Sequence, residues 1–312
     1  MQYIILAPAN AETGGVEDLH QLYRGLKLAG QQVKMAYINN CAINSLKEWA
    51  PKQFMCRPSI PLRYSYCGPF ELADDIPDTA DTVVIAPEIF QCAVLPLKNA
   101  LPCVWALAMV PLVPEWKGRR VLPIGQSHYA MVTFQEQGLT PLYLPDYLSP
   151  QIVNNGIVYQ TGRVNGVVYF GGRGCPESKL LLQQFPGVES RSFFGLNTVQ
   201  LDGIYKEWRH FIYPVRQPGM DKTPREAAVN GCVVWVLASG AAEHYYDAPL
   251  DSRFRCLTTE ILVSHLRMSL QSEERYHEDF AAQGEYRDWI RDAPARFDKG
   301  VLDLIARTAD ML

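Results

Sequence analysis

The sequence lacks the cysteine and histidine spacings that mark zinc sites and disulfide frameworks. No two of its eight cysteines stand in a C-x-x-C arrangement, and no His-x-x-x-His pair accompanies them. The cysteines lie at positions 41, 56, 67, 92, 103, 175, 232 and 256. Because zinc sites and disulfide scaffolds cluster their cysteines, we expect reduced and mostly buried thiols.

A long apolar run is also missing. The most apolar stretch, Leu101 to Pro114, contains three prolines and is shorter than the roughly 20 residues that span a bilayer. Residues Met1 to Leu6 have no basic flank, so they predict a buried first strand and not a signal peptide. We expect a cytoplasmic protein without a transmembrane segment, with peripheral attachment at the inner membrane face as the alternative.

The chain has no surplus of positive charge. Its formal net charge is −4, which argues against a nucleic-acid binder. The acidic residues at 74, 75, 78 and 81 lie in a loop without the strand context of a metal site, so we predict no metal and no cofactor. Hydrophobic residues make up 48% and charged residues 20%, which fits a soluble globular enzyme.

What the sequence does contain is an alternation of short β-rich runs and helical patterns, which is typical of parallel α/β sheets. Strands are predicted at 2–7, 32–38, 82–86, 102–109, 120–124, 142–144, 166–170, 188–193, 211–213 and 232–237. Helices are predicted at 16–29, 89–100, 126–137, 176–184, 198–208, 224–230 and from 258 onward. The stretch 146–163 has no periodicity, so we expect two domains, 1–158 and 159–312.

Each half of the chain has a glycine turn after its first strand, at Gly14–Gly15 and at Gly171–Gly172. The predicted fold class is therefore α/β, with two Rossmann-like domains that face a cleft and a compact second domain. Ligands of such sheets bind at the carboxyl ends of the strands. Backbone N–H groups at helix starts suit phosphate groups.

The second half carries an ordered series of short motifs. They are Val167–Arg173 (VVYFGGR) with Lys179, Thr198–Pro214 (TVQLDGIYKEWRHFIYP), Pro218–Ala228 (PGMDKTPREAA), Gly231–Val234 (GCVV) and Ser239–Glu243 (SGAAE). In this order they resemble the nucleotide-binding domain of retaining GT-B glycosyltransferases, the group that contains glycogen synthases and many bacterial polysaccharide transferases. The first half is similar to the acceptor domain of that family, on Thr13–Gly15 and the helix that begins near Ser127.

This resemblance implies an enzyme of polysaccharide biosynthesis that moves a sugar from a nucleotide-sugar co-substrate to a glycan or lipid-linked acceptor, without a metal. It implies that Arg173 and Lys179 stabilise the departing diphosphate and that Glu226 accepts hydrogen bonds from the ribose. The residues predicted to bind the donor are Gly14, Gly15, Gly172, Arg173, Lys179, Asp221 and Glu226. It also implies that the last helices, within 286–312, cross back onto the first domain.

Two side chains of the first half are candidates for the catalytic base that takes a hydroxyl proton from the acceptor. Glu88 closely follows the buried strand 82–86, and His128 lies beside Ser127 at the start of a predicted helix. A surface carboxylate without a catalytic role is the alternative interpretation of Glu88. Ser127 itself is interpreted as a helix cap.

The motifs depart from the family pattern in two places. The family's donor loop carries a first glutamate eight positions before the second, and here that position is Pro218. Asp221 could substitute for it. A catalytically degenerate protein that binds a nucleotide or a glycan therefore stays an alternative, as does a sugar-nucleotide epimerase. The stretch between Arg173 and Tyr213 is also short by one strand–helix unit.

Two other enzyme classes fit the sequence less well. A nicotinamide dehydrogenase needs G-x-G-x-x-G after its first strand and an acidic residue after its second, where this chain has Asn39. A hydrolase with a nucleophile elbow needs a glycine at the position of Tyr129 in Gly125–Tyr129 (GQSHY).

Overall fold

The computed structural model describes residues 1–9, 11, 13–39, 41–57, 62–108, 110–154 and 162–312. They form two compact units, Met1–Asp146 together with Pro294–Leu312, and Tyr147–Ala293. The predicted domain boundary between 158 and 159 lies outside the described residues.

The strands of the first unit form a sheet in the order β3-β2-β1-β4-β5-β6-β7. Their bounds are β1 Gln2–Pro8, β2 Gln32–Ile38, β3 Met55–Cys56, β4 Thr82–Pro87, β5 Leu101–Ala106, β6 Leu122–Gly125 and β7 Leu142–Tyr143. Strand β3 is antiparallel to β2, and the other pairs are parallel. The chain order reverses between β1 and β4, which is the switch point of a doubly wound sheet.

The helices of the first unit are α1 Gly14–Leu28, α2 His128–Glu136 and α10 Ala293–Met311. The last of these is tied to the first strand, since the Tyr3 hydroxyl lies 2.7 Å from Oγ1 of Thr308. Gly25 of α1 also faces Phe297 and Val301, with only 3.0 Å between an added Cβ and each side chain. Helix α10 therefore completes the core of the first unit, although it follows the second unit in the chain.

The prediction of a helix at 89–100 is wrong. The chain forms a 3-10 helix at Glu88–Val94, with a non-helical residue at Phe90. Pro96 then follows, and a proline has no backbone N–H to donate in the interior of a helix. Short turns of this kind replace a regular helix between β4 and β5.

The strands of the second unit form a parallel sheet in the order β12-β11-β10-β8-β9. Their bounds are β8 Val164–Phe170, β9 Ser190–Phe193, β10 Trp208–Tyr213, β11 Val233–Leu237 and β12 Arg255–Cys256. The helices are α3 Pro150–Asn154, α4 Cys175–Leu182, α5 Thr198–Glu207, α6 Lys222–Val229, α7 Thr259–Gln271, α8 Glu273–Ala282 and α9 Gly284–Arg291. The α/β alternation predicted from the sequence is confirmed in both units.

The loop between β10 and α6 is fixed by backbone hydrogen bonds to the turn after β11. The N–H of Gln217 donates to the carbonyl of Ser239 at 3.1 Å, and the N–H of Ala241 donates to the carbonyl of Gln217 at 2.8 Å. Between them stands Gly240, with a φ of +66°, and a Cβ at this position would lie 2.0 Å from the Gln217 oxygen. Only glycine fits both this backbone geometry and this close approach.

We expect Gly240→Ala to lower the free energy of unfolding by about 3 kcal/mol or more, because the new Cβ forces apart two hydrogen-bonded segments. Gly203 is the matched control. It lies inside α5 with nothing within 4 Å of an added Cβ, so Gly203→Ala should raise the stability by about 0.5–1 kcal/mol. Urea unfolding of both variants measures the difference, and equal effects would contradict this account of Gly240.

Candidate functional site

The carboxyl end of β8 opens into the glycine turn that the sequence singled out. The N–H of Gly171 donates to the carbonyl of Phe193, at the end of the neighbouring β9, over 2.6 Å. Gly174 has a φ of +85°, and an added Cβ there would lie 2.7 Å from Cγ1 of Val215. The turn therefore lies against the loop that follows β10, and this contact places Arg173 beside that loop.

Arg173 lies in a cluster with one side chain from β10 and one from the start of α6. Its Nε and Nη2 lie 3.2 and 2.9 Å from the hydroxyl oxygen of Tyr213, the last residue of β10. Its Nη2 also donates to Oδ2 of Asp221, which directly precedes α6. The three side chains thus meet at the carboxyl edge of the sheet, where ligands of parallel α/β sheets bind.

The cluster contains one cation and one carboxylate, and part of it is exposed to solvent. The Arg173 side chain is 46% exposed, while that of Asp221 is 19% exposed. Burial raises the pKa of Asp221, and the neighbouring guanidinium opposes that shift. Burial also raises the pKa of Tyr213, so its hydroxyl stays protonated and can donate to Asp221. The exposed part of the guanidinium still presents N–H donors to solvent.

The start of α6 is organised by a second arginine. Arg225 is 2% exposed, and its Nη2 and Nε donate to the carbonyls of Met220 and Asp221 at 2.5 and 3.3 Å. Glu226, the next residue, is 3% exposed. The carboxylate that the structure brings to Arg173 is therefore that of Asp221, while Glu226 lies buried in α6.

Lys179 and Gly172 complete the residues predicted in the second unit. Lys179 is exposed on α4, and none of the hydrogen bonds described for the Arg173 cluster involves it. Gly172 lies under two aromatic rings, since an added Cβ would be 2.5 Å from Phe170 and 3.1 Å from Phe194. Phe194 follows β9 directly and is 70% exposed. The aromatic ring of Phe194 is therefore exposed beside the glycine turn.

The other predicted residues lie at the carboxyl edge of the first sheet. Gly14 and Gly15 begin α1, whose N-cap Thr13 accepts a hydrogen bond from the N–H of Val16 at 3.3 Å. The carboxylate of Glu88 accepts from the N–H groups of Leu107 and Ala108 at 2.9 and 3.2 Å. An added Cβ on Gly15 would lie 3.3 Å from Cδ1 of Leu107. Gly15 and Glu88 therefore lie on either side of the chain that leaves β5.

His128 begins α2, and its ring lies 4.6 Å from the ring of Tyr143. Ser127 accepts a hydrogen bond from the N–H of Ala130 at 3.0 Å, so its interpretation as a helix cap is confirmed. These contacts account for the local order at Gly125–Tyr129 without a nucleophile.

Sequence reasoning missed Tyr213 and Arg225. Both lie inside the motifs of the second half of the chain. A tyrosine at the end of a buried strand and an arginine in a helix carry no signal of their own. Their roles follow from the neighbours that the fold supplies. Within the described ranges, no group of three His, Cys, Asp or Glu side chains could hold a metal ion, and no helix is long and apolar enough to cross a membrane.

No protein-family model matches this sequence, and no curated protein matches it. Solved structures do. A glycosyltransferase from Rickettsia africae has a TM-score of 0.64 at 8% identity, over 99% of this chain and 98% of that one. T4 phage BGT with UDP and Mn²⁺ has a TM-score of 0.52 at 11% identity, over 99% and 100%. S. aureus TarM, in a complex that includes UDP, has a TM-score of 0.54 at 9% identity, over 75% of this chain.

The chain spans 56% of the length of TarM, but nearly all of the other two proteins. At these identities the likeness concerns the fold. The fold is that of GT-B glycosyltransferases, as the order of motifs predicted.

The buried carboxyl group of Glu88 should make the stability of the protein depend on pH. Burial raises its pKa to about 7, against the lowering effect of the backbone N–H groups. Because the folded pKa is above the unfolded one, the stability that Glu88 contributes is full below pH 4.5 and is lost as the pH rises through about 7. Relative to Glu88→Gln, the wild type should lose about 3 kcal/mol over this range. Urea unfolding of both proteins from pH 4.5 to 8 measures it, and parallel stability curves would contradict it.

Proposed function

We propose that this protein is a glycosyltransferase that binds a nucleotide-sugar donor on its second unit, at the carboxyl edge of β8 and β10. The observation that carries the proposal is the cluster of Arg173, Tyr213 and Asp221 at that edge, in a chain with the GT-B fold. The presence of UDP in the TarM and T4 phage BGT structures supports a nucleoside diphosphate as the ligand class.

Arg173 is the residue that we assign to the diphosphate. Cleavage of the sugar–phosphate bond places new negative charge on the leaving diphosphate, and a preorganised cation stabilises that charge in the transition state. The hydrogen bonds from Arg173 to Tyr213 hold its guanidinium in one orientation. A planar guanidinium can also bind two phosphate oxygens at once, which a flexible ammonium does less well.

Asp221 is then a positioning residue in this proposal. Its carboxylate is engaged by Arg173 and Tyr213, so it sets the place and charge of the guanidinium. Lys179 and Glu226 stay proposals that rest on the resemblance alone, for a second phosphate contact and for the ribose.

On the first unit we propose Glu88 as the base that deprotonates the acceptor hydroxyl, with His128 as the second candidate. A base with a pKa near neutral pH suits this role, and the pKa of Glu88 is raised to about 7 by burial. The proposed acceptor is a glycan or a lipid-linked acceptor. We propose transfer without a metal, which is tested by comparing turnover in EDTA with turnover in Mn²⁺.

The proposal is tested by calorimetric titration with UDP, followed by GDP, ADP, CMP and TDP. Arg173→Gln should weaken binding of the preferred nucleotide by about tenfold or more, because a charge-assisted contact is lost. Arg173→Lys should recover part of it. The matched control is Arg191→Gln, which removes an exposed arginine paired with Glu207 at 3.2 Å near the start of β9 and should leave binding unchanged.

A measurement of turnover distinguishes an enzyme from a protein that only binds the nucleotide-sugar. Release of the nucleoside diphosphate from its sugar conjugate, with an acceptor present, supports a transferase. Binding without turnover would instead support a degenerate protein, and a changed sugar without an acceptor would support an epimerase. Failure of all five nucleotides to bind the folded wild type would overturn the proposed donor site.

Phe194 supplies a further test of the same site. Its exposed ring lies against Gly172, one residue before Arg173, so we expect it to stack on the base of the nucleotide. Stacking on an aromatic side chain is worth about 1–3 kcal/mol per base, so Phe194→Ala should weaken UDP binding about fivefold or more, and Phe194→Tyr should not. Pyrophosphate has no base that could stack, so its binding to the Arg173 site should be the same in the wild type and in Phe194→Ala. Binding to this site is measured as the part of the pyrophosphate binding that Arg173→Gln removes. An equal loss for UDP and pyrophosphate would contradict base stacking.

A further inference from the structure

A cavity of about 200 Å³ lies in the first unit, at the amino-terminal ends of β5 and β6. Its lining consists of Leu95, Leu97, Lys98, Ala100, Pro102, Trp116, Arg119 and Arg120. The strands are parallel, so this edge of the sheet is opposite to the one where Glu88 and Leu107 follow β4 and β5. The cavity is therefore separate from the residues to which we assign the transfer reaction.

The lining carries three cations and no carboxylate. Nη1 of Arg119 donates to the carbonyl of Leu95 at 2.7 Å, and Nη2 of Arg120 donates to the carbonyl of Asn99 at 2.7 Å. These bonds fix the two guanidinium groups but do not neutralise them. Arg120 also donates to the carbonyls of Met311 and Ala100 at 3.4 Å. Each guanidinium has five N–H donors, so at least two remain on each for a ligand.

The carboxylate of Asp78 lies nearby but is occupied by backbone groups. It accepts hydrogen bonds from the N–H groups of Lys98, Asn99 and Ala100 at 2.8–3.2 Å. Asp78 thereby shapes the segment that carries Lys98, and its charge also interacts with that of Lys98. The three cations of the lining outnumber this one carboxylate.

Trp116 forms a buried wall of the cavity. It lines the cavity, it is 2% exposed, and its buried indole Nε1 has no acceptor among the described residues. A buried donor without an acceptor costs about 1–3 kcal/mol. That atom has almost no exposed area and does not border the cavity, whereas the three cations of the lining favour an anionic ligand.

We propose that this cavity is a second ligand site, which binds the phosphate group of a small molecule through Lys98, Arg119 and Arg120. Arginine guanidinium groups match the geometry of phosphate oxygens. Pockets for drug-sized ligands occupy about 300–1,000 Å³. This smaller cavity holds a phosphate or diphosphate with at most a small substituent. The ligand is a phosphate ester or diphosphate, either free or as the headgroup of a lipid.

Calorimetric titration with pyrophosphate tests the site, in an Arg173→Gln background that removes the proposed donor contact. Adding Arg119→Gln and Arg120→Gln together should weaken binding by about tenfold or more, because charge-assisted bonds are lost. Trp116→Phe keeps an aromatic wall and all three cations, so it should change binding little. Lys117→Gln is the matched control, because it removes a cation from the same segment that does not line the cavity, and it should change little.

Lys98→Gln keeps the test decisive if the arginine pair is needed for folding, since Lys98 does not hold backbone carbonyls through its side chain in the way that the two arginines do. It should weaken pyrophosphate binding while thermal unfolding stays unchanged. Failure of pyrophosphate to bind, or equal binding by the Lys98 and Lys117 variants, would overturn the proposal. Co-sedimentation with phosphatidylglycerol vesicles identifies the source. Vesicle binding that is lost in Lys98→Gln indicates a lipid headgroup, and binding of pyrophosphate alone indicates a free phosphate ligand.

Discussion

The backbone bridge between Gln217 and Gly240 is the constraint on which the candidate donor site depends. Two hydrogen bonds tie the loop after β10 to the turn after β11, and the close approach leaves no room for a Cβ at Gly240. Because this loop leads directly into α6, the bridge also sets where Asp221 stands. The buried Arg225 then fixes the last turn of the loop through the carbonyls of Met220 and Asp221.

The arrangement of charges in the candidate donor site follows from this backbone bridge. Arg173 comes from the loop after β8, and it meets a hydroxyl from β10 and a carboxylate at the start of α6. In the proposed donor site, a cation held this way would give up little conformational freedom on binding a diphosphate, and the ligand would share it with Asp221. Pro218 stands where the resembled family has a carboxylate, so the acidic character of this loop is concentrated at Asp221, beside the cation.

Patterns local in the chain predicted most of the regular structure. The apolar runs at 82–86 and 232–237 became buried strands, and Ser127 caps α2 as its position before a helical pattern indicated. The helix expected at 89–100 failed for a reason that local patterns also carry. Pro96 stands inside it, and the hydrophobic spacing alone did not register the cost of a proline in a helix.

The sequence by itself determined the α/β class and the glycine turns, because strands, helices and turns each have a short-range signature. Most candidate donor residues were named on the resemblance to a known family. Tertiary structure decided which of those residues meet. Arg173 and Asp221 are 48 positions apart, and they become partners only because β8 and β10 are neighbours in the sheet. The position of Tyr213, the burial of Glu226 and the cationic lining of the cavity depend in the same way on contacts between segments distant in the chain. Such contacts are set by strand order and packing, which no periodicity within a single segment records.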